Sequence, residues 1–190
     1  MKIIDKRFNH ATITMLEKMI GKAFNKYCCD PFVFTPSVEG IVGIYIDDAP
    51  YKLTNNIEVL DYYGENEDVA VYKLESCNQE DIKSQQDEGQ FITTPVNSII
   101  DSITIINENQ QLYYNQEQTY NVFTPRAIIF HFEDKHEIMF EKDIWFSERI
   151  IIYKGYNLKE KLSSTDEFLE SWDDSPGYSP KCVRDEIIIK

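Results

Sequence analysis

Short runs of β-branched and aromatic residues, each closed by polar or turn-forming residues, constrain this chain more than any other feature. "IVGIYIDD" (41–48), "IEVLDYY" (57–63) and "VAVYKLE" (69–75) follow one another, separated by "DAPYKLTNN" and "GENED". Side chains of this kind suit a pleated, half-buried surface, and separators this short join antiparallel neighbours. The pattern resumes in "SIIDSITIINENQQLYYN" (98–115), where polar "NENQQ" predicts a hairpin tip. It continues through "RAIIFHF" (126–132), "HEIMFEK" (136–142), "IWFSERIIIYKG" (144–155) and "VRDEIIIK" (183–190). Thr-Pro at 35–36, 94–95 and 124–125 precedes three extended runs, the place where a proline without an N–H fits the start of a strand.

Two segments read as helices. In "NHATITMLEKMIGKAFNKY" (9–27), Ile13, Leu16, Ile20, Ala23, Phe24 and Tyr27 recur at helical spacings and predict one apolar face. Asn9 is placed to cap it, Lys18, Lys22 and Lys26 line the solvent side, and Pro31 and Pro36 follow its end. In "STDEFLESW", Ser164 stands three residues ahead of Glu167, and Phe168, Leu169 and Trp172 form an apolar side; this predicts a short helix over 165–172. The fold class expected is therefore α+β and mostly β. An N-terminal amphipathic helix packs on antiparallel sheet, arranged as a partial barrel or a two-layer sandwich, and one short helix lies near the C-terminus. Residues 1–190 read as one domain, or as lobes 1–76 and 91–190 joined by the polar stretch 77–90, whose one large aliphatic residue within "SCNQEDIKSQQDEGQ" is Ile82.

Charge narrows the function. The chain carries 19 basic and 33 acidic residues, a net charge of −14. The first 30 residues hold six basic and three acidic side chains, which leaves 13 basic against 30 acidic for the rest. Such a surface repels phosphate backbones, so direct nucleic-acid binding is disfavoured and approach of a basic protein is favoured. No apolar run is long enough to span a bilayer, and the charged start "MKIIDKRFNH" lacks the apolar stretch of a signal peptide; the expectation is a cytoplasmic protein that does not engage membrane. Cys28, Cys29, Cys77 and Cys182 contain no C-x-x-C and read as free thiols. The weight of Ile, Asn, Tyr and Lys points to an A/T-rich genome, such as that of a low-GC bacterium or its mobile elements.

"HFEDKHE" (131–137) has the ligand density of a metal site. Read as a hairpin pairing Phe132 with Ile138 and Phe130 with Phe140, it sends His131 to the opposite face and leaves His136 in the loop, so the two imidazoles diverge. Its carboxylates lack the alternation of a calcium loop, and His10 lies far off at the start of the first helix. The residues imply no metal, no cofactor and no catalytic group. "GENED" (64–68) with "DIK" (81–83) has the spacing of a nuclease carboxylate set, but "DIK" falls in the polar stretch.

The candidate binding residues are acidic and aromatic. In "DEFLESWDDSPGY", Asp166, Glu167, Glu170, Asp173 and Asp174 surround Phe168, Leu169, Trp172 and Tyr178, and "GENED" contributes Glu65, Glu67 and Asp68. Aromatic anchors ringed by carboxylates suit an Arg/Lys-rich partner surface. The reading that results is a small acidic protein-binding module, of the inhibitor or immunity type, that presents negative charge to a basic partner, a nucleic-acid-binding protein being one candidate. The alternatives are a divalent-metal hydrolase using dispersed carboxylates, and a structural subunit that assembles through strand edges.

Overall fold

A computed structural model describes residues 1–32, 35–84, 90–144 and 146–190. Trp145 of the 144–155 run and residues 85–89 of the polar stretch lie outside the described residues.

Among the described residues the chain forms eleven strands and two short α-helices. In chain order they are β1 (Lys2–Asp5), α1 (His10–Glu17), β2 (Ala23–Cys29), β3 (Ser37–Val38), β4 (Ile41–Ile46), β5 (Ala49–Tyr62), β6 (Glu65–Ser76), β7 (Ile92–Tyr114), β8 (Glu117–Phe132), β9 (Glu137–Lys142), β10 (Ile150–Gly155), α2 (Asp166–Glu170) and β11 (Tyr178–Ile189). All strands belong to one sheet, ordered β3-β10-β9-β8-β7-β2-β4-β5-β6, with β1 added parallel to β8 and β11 antiparallel to β7. The mostly β, antiparallel character and the short C-terminal helix agree with the expectation from sequence.

The long N-terminal helix does not form. Asn9 caps α1 by accepting from the Thr12 N–H at 3.0 Å, but the helix ends at Glu17 and the chain turns through Gly21 at φ +75°. Ala23, Phe24 and Tyr27 are on β2, between β4 and β7. A bulge between Phe24 and Lys26 explains the false helical period. One extra residue on β2 reverses the alternation of faces, so Phe24 and Tyr27, three apart, both enter the core. The lysine row breaks with the helix, and Lys26 instead lies over the Tyr45 ring at 4.5 Å.

Three strands end differently from the sequence reading. "NENQQ" is no hairpin tip but the interior of the 23-residue β7, whose chain reverses at Asn115 and Gln116, both with positive φ. β10 begins at Ile150, so Ile144 and 146–149 are not strand. Pro95 and Pro125 lie inside β7 and β8, beside register shifts that free the missing donor from a ladder position. Those shifts, at Ser98/Pro95, Ile106/Asn107 and elsewhere along β7, also let so long a strand bend.

The main core is aromatic. Phe24 meets Phe130 and Phe132 edge to face at 5.1 and 5.7 Å, and Tyr27 and Phe130 meet Phe140 at 5.7 and 6.1 Å. Ladder bonds pass along β7 from β2 to β8, and this core draws on Leu16, Phe24 and Leu74 as well as Ile103, Phe130 and Ile152. Within 77–90, Ile82 docks on Gly43 with Cys28 and Tyr45; a Cβ at Gly43 would stand 2.5 Å from the Ile82 side chain, so only glycine permits the contact.

Candidate functional site

The β5–β6 hairpin leaves its neighbour β4 after Thr54 and projects as a two-stranded arm. Two ion pairs pin the arm to β1, Lys2 with Asp61 and Lys6 with Glu58 at 3.1 Å. Its two-residue turn is Tyr63-Gly64, with φ of +56° and +107°. A two-residue hairpin turn wants positive φ at both positions, which glycine supplies freely and tyrosine rarely adopts. The turn lays both tyrosines on the sheet. The Tyr62 hydroxyl donates to Gln110 Oε1 at 3.0 Å, and the Tyr63 hydroxyl reaches the Gln110 carbonyl at 3.4 Å. Burial pushes both phenols well above their ordinary ionisation range. Both are therefore neutral anchors.

Beneath the arm, Asn107, Glu108 and Gln110 of β7 are buried and each makes side-chain hydrogen bonds, although the Asn107 Oδ1 finds no partner. Gln110 donates from Nε2 to Glu108 at 3.1 Å, and Glu108 accepts from Arg184 of β11 at 2.8 Å. Arg126 of β8 donates to Glu141 of β9 at 2.9 Å, and Asn107 donates to Asp185 at 2.9 Å. Glu108, Gln110, Arg126, Glu141 and Lys142 are all less than a tenth exposed. Lys142, which is 3% exposed, has its pKa lowered to about 8, chiefly by burial and then by the Arg126 charge.

The same ions hold the segment that walls the cleft. The Ser163 N–H donates to Glu141 at 3.0 Å, and Arg184 donates to the Ser163 carbonyl at 2.6 Å. α2 follows directly and buries Phe168 against Tyr63, ring centroids 5.9 Å apart. The Ser164–Glu167 capping box does not form; Ser164 accepts instead from the Asp166 N–H at 3.1 Å. Trp172, just past α2, packs on Tyr63 at 5.2 Å and on Tyr178 at 5.3 Å. Tyr62 meets Phe146 at 6.0 Å.

Among the described residues, these groups enclose a cleft of about 530 Å³ lined by Tyr62, Tyr63, Glu65, Glu67, Phe146, Trp172 and Tyr178, with Ser171 and Ser175 at its side. Glu65 opposes Tyr62 and Glu67 opposes Leu60 across the hairpin, which puts both carboxylates on one face of the arm. Neither has an ion-pair partner among the described residues, and none of the described lining residues is basic. The cleft thus offers aromatic surface, two free carboxylates and two serine hydroxyls.

Of the candidate residues, Glu65, Glu67 and Trp172 come together here from distant parts of the chain. Asp68, Glu170, Asp173 and Asp174 are exposed but do not line the cleft. Glu167, also exposed, borders a smaller recess beside Glu108 and Arg126. Sequence reasoning picked out Tyr178 beside Trp172 but missed Tyr62 and Tyr63, along with the buried ions beneath them. The one available signal was the polar run "NENQQ", whose buried partners, Tyr62 and Arg184, are remote in sequence.

The histidine hairpin pairs His131 with Glu137 and Phe130 with Ile138, two residues from the expected register. A shift of two keeps every side chain on its expected face. His131 spans Thr104 at 2.8 Å and Glu137 at 3.0 Å, whereas His136 meets the Tyr156 hydroxyl at 2.8 Å. Among the described residues, no three His, Cys, Asp or Glu side chains are gathered to hold a metal ion, and no helix is long and apolar enough to cross a membrane. No protein-family model matches the chain, and no curated protein or solved structure matches it either.

Proposed function

We propose that this protein is a small binding module that receives a basic protein partner at the cleft between the β5–β6 arm and the segment after α2, as an inhibitor or immunity-type protein covers a cationic surface. The observation that supports this reading is the pair Glu65 and Glu67, unpaired among the described residues, in an aromatic cleft whose described lining is free of basic groups. On the opposite strand of the arm, β5, the carboxylates are neutralised, Asp61 by Lys2 and Glu58 by Lys6 and Lys73. Exposed Asp68, Glu170, Asp173 and Asp174 add to the acidic field, and the net charge of −14 draws a cationic surface inward. A protein that itself binds nucleic acid presents such a surface.

The test uses a partner isolated on the immobilised protein, purified and recombined in stopped flow. Asp173→Asn with Asp174→Asn leaves stability within about 0.5 kcal/mol, since both side chains are exposed. Association slows for this double variant at 0.1 M salt, and the difference vanishes at 1 M, where the Debye length falls from roughly 10 to 3 Å. An association rate indifferent both to the variant and to salt sinks the proposal.

A further inference from the structure

The cleft's donors and acceptors are too one-sided for a generic apolar anchor. Tyr62 and Tyr63 spend their hydroxyls inward on Gln110, which leaves ring surface facing the cleft rather than phenol donors. Glu65 and Glu67, two residues apart on one strand face, stand roughly 7 Å apart along the strand, a gap a single ammonium spans poorly. A guanidinium fits this set better. It is planar, stacks on aromatic faces, carries donors on several edges and sheds water more readily than an ammonium.

We infer that the cleft between Tyr62, Tyr63, Phe146, Trp172 and Tyr178 takes up an arginine side chain of the basic partner, its guanidinium stacked on the aromatic wall and donating to Glu65 and Glu67. The occupant is an arginine displayed on a loop or strand, because the volume of about 530 Å³ holds that side chain together with adjoining backbone. This rests on the acidic-cleft reading and adds the identity of the anchoring group. The wall is preset for it: Trp172 is fixed between Tyr63 and Tyr178, and the segment carrying it is tied down at Ser163 by Glu141 and Arg184.

The experiment titrates the full chain carrying Trp145→Phe, so that Trp172 is its one tryptophan, with three short peptides identical except for a central arginine, lysine or citrulline. Citrulline keeps the planar shape and loses the charge. The arginine peptide is expected to change Trp172 fluorescence saturably, with lysine roughly ten-fold weaker and citrulline weaker still. Glu65→Gln with Glu67→Gln should weaken the arginine peptide by about ten-fold or more and leave the melting temperature unchanged. Binding of the citrulline peptide as tight as the arginine peptide, or an arginine affinity unaffected by the double glutamine variant, overturns the inference. Equal binding of lysine and arginine overturns the guanidinium assignment. If instead the purified partner associates in a salt-dependent way while the arginine peptide fails to compete with it, this inference falls and the acidic-surface reading stands.

Discussion

Two parts of the same strands are filled by opposite means. Where β2, β8 and β9 face the main core, the interior is Phe24, Tyr27, Phe130, Phe132 and Phe140 in edge-to-face contact. Farther along, β7, β8 and β9 bury Glu108, Gln110, Arg126, Glu141 and Lys142 beneath the cleft. Apolar packing stabilises whatever closes over it, and tolerates shifts that conserve volume. Buried ions cost desolvation and repay it only in one geometry. The ionic layer is thus a poor source of stability and a good means of fixing the segment from Ser163 to Tyr178 in place. Glu141 shows the cost directly: one carboxylate oxygen holds Arg126 and Ser163, and the other, fully buried, has no hydrogen-bond partner.

The sharpest way to break the comparison is to truncate each region. Phe24→Ala removes a fully buried ring from the centre of the aromatic core and is expected to cost about 4 kcal/mol in chemical denaturation. Arg126→Met strands the buried Glu141 charge and should cost about 3 kcal/mol, while adding Glu141→Leu to it should recover most of that loss. A cost for the double variant as large as for the single one would mean that the ionic layer is a net stabiliser like the aromatic core. The double variant should also loosen the wall, seen as faster amide exchange over 163–172.

Lys142 sharpens the contrast through pH. Its pKa falls from 10.5 to about 8 on folding, so between those values the unfolded chain binds more protons than the folded one. Stability from this residue therefore rises as pH climbs from about 8 to 10.5, and below 8 the whole penalty of burying the charge is present. Lys142→Met should raise stability at pH 7 by up to about 3 kcal/mol, with 1.36 kcal/mol per pKa unit, and should flatten that rise. Urea melts of the two proteins at pH 7 and pH 10 check both.

The same contrast explains what could be read from sequence. The aromatic core is made of runs such as "RAIIFHF" and "HEIMFEK", whose alternation declares strand and face locally. The face of His131 and the loop position of His136 were legible for that reason, even with the register two residues off. Phe24 and Tyr27 misled because a bulge imitates a helical spacing. The turns were hard to see because Asp47-Asp48 and Asn115-Gln116 adopt positive φ without glycine. At the site, Glu65, Glu67 and Trp172 were legible as exposed acid and aromatic groups, since their chemistry needs no partner to be noticed. Tyr62 and Tyr63 read as ordinary strand, and only the folding of the arm onto β7 gives them a role. "NENQQ" looked like a turn because polar side chains suit water unless distant partners satisfy them, and Arg184 and Asp185 lie more than seventy residues away.

The smallest expected effect on stability belongs to Glu65 and Glu67 of the cleft, which have no ion-pair partner among the described residues and so hold nothing of the fold in place. The most direct test is to map the arginine peptide on the isotopically labelled full chain by chemical-shift perturbation. Shifts concentrated at 62–67, Phe146 and 171–178 are expected, with the aromatic core around Phe24 and Phe130 unmoved. Saturable shifts centred elsewhere, for example on the His131–His136 hairpin, would contradict arginine uptake at the cleft.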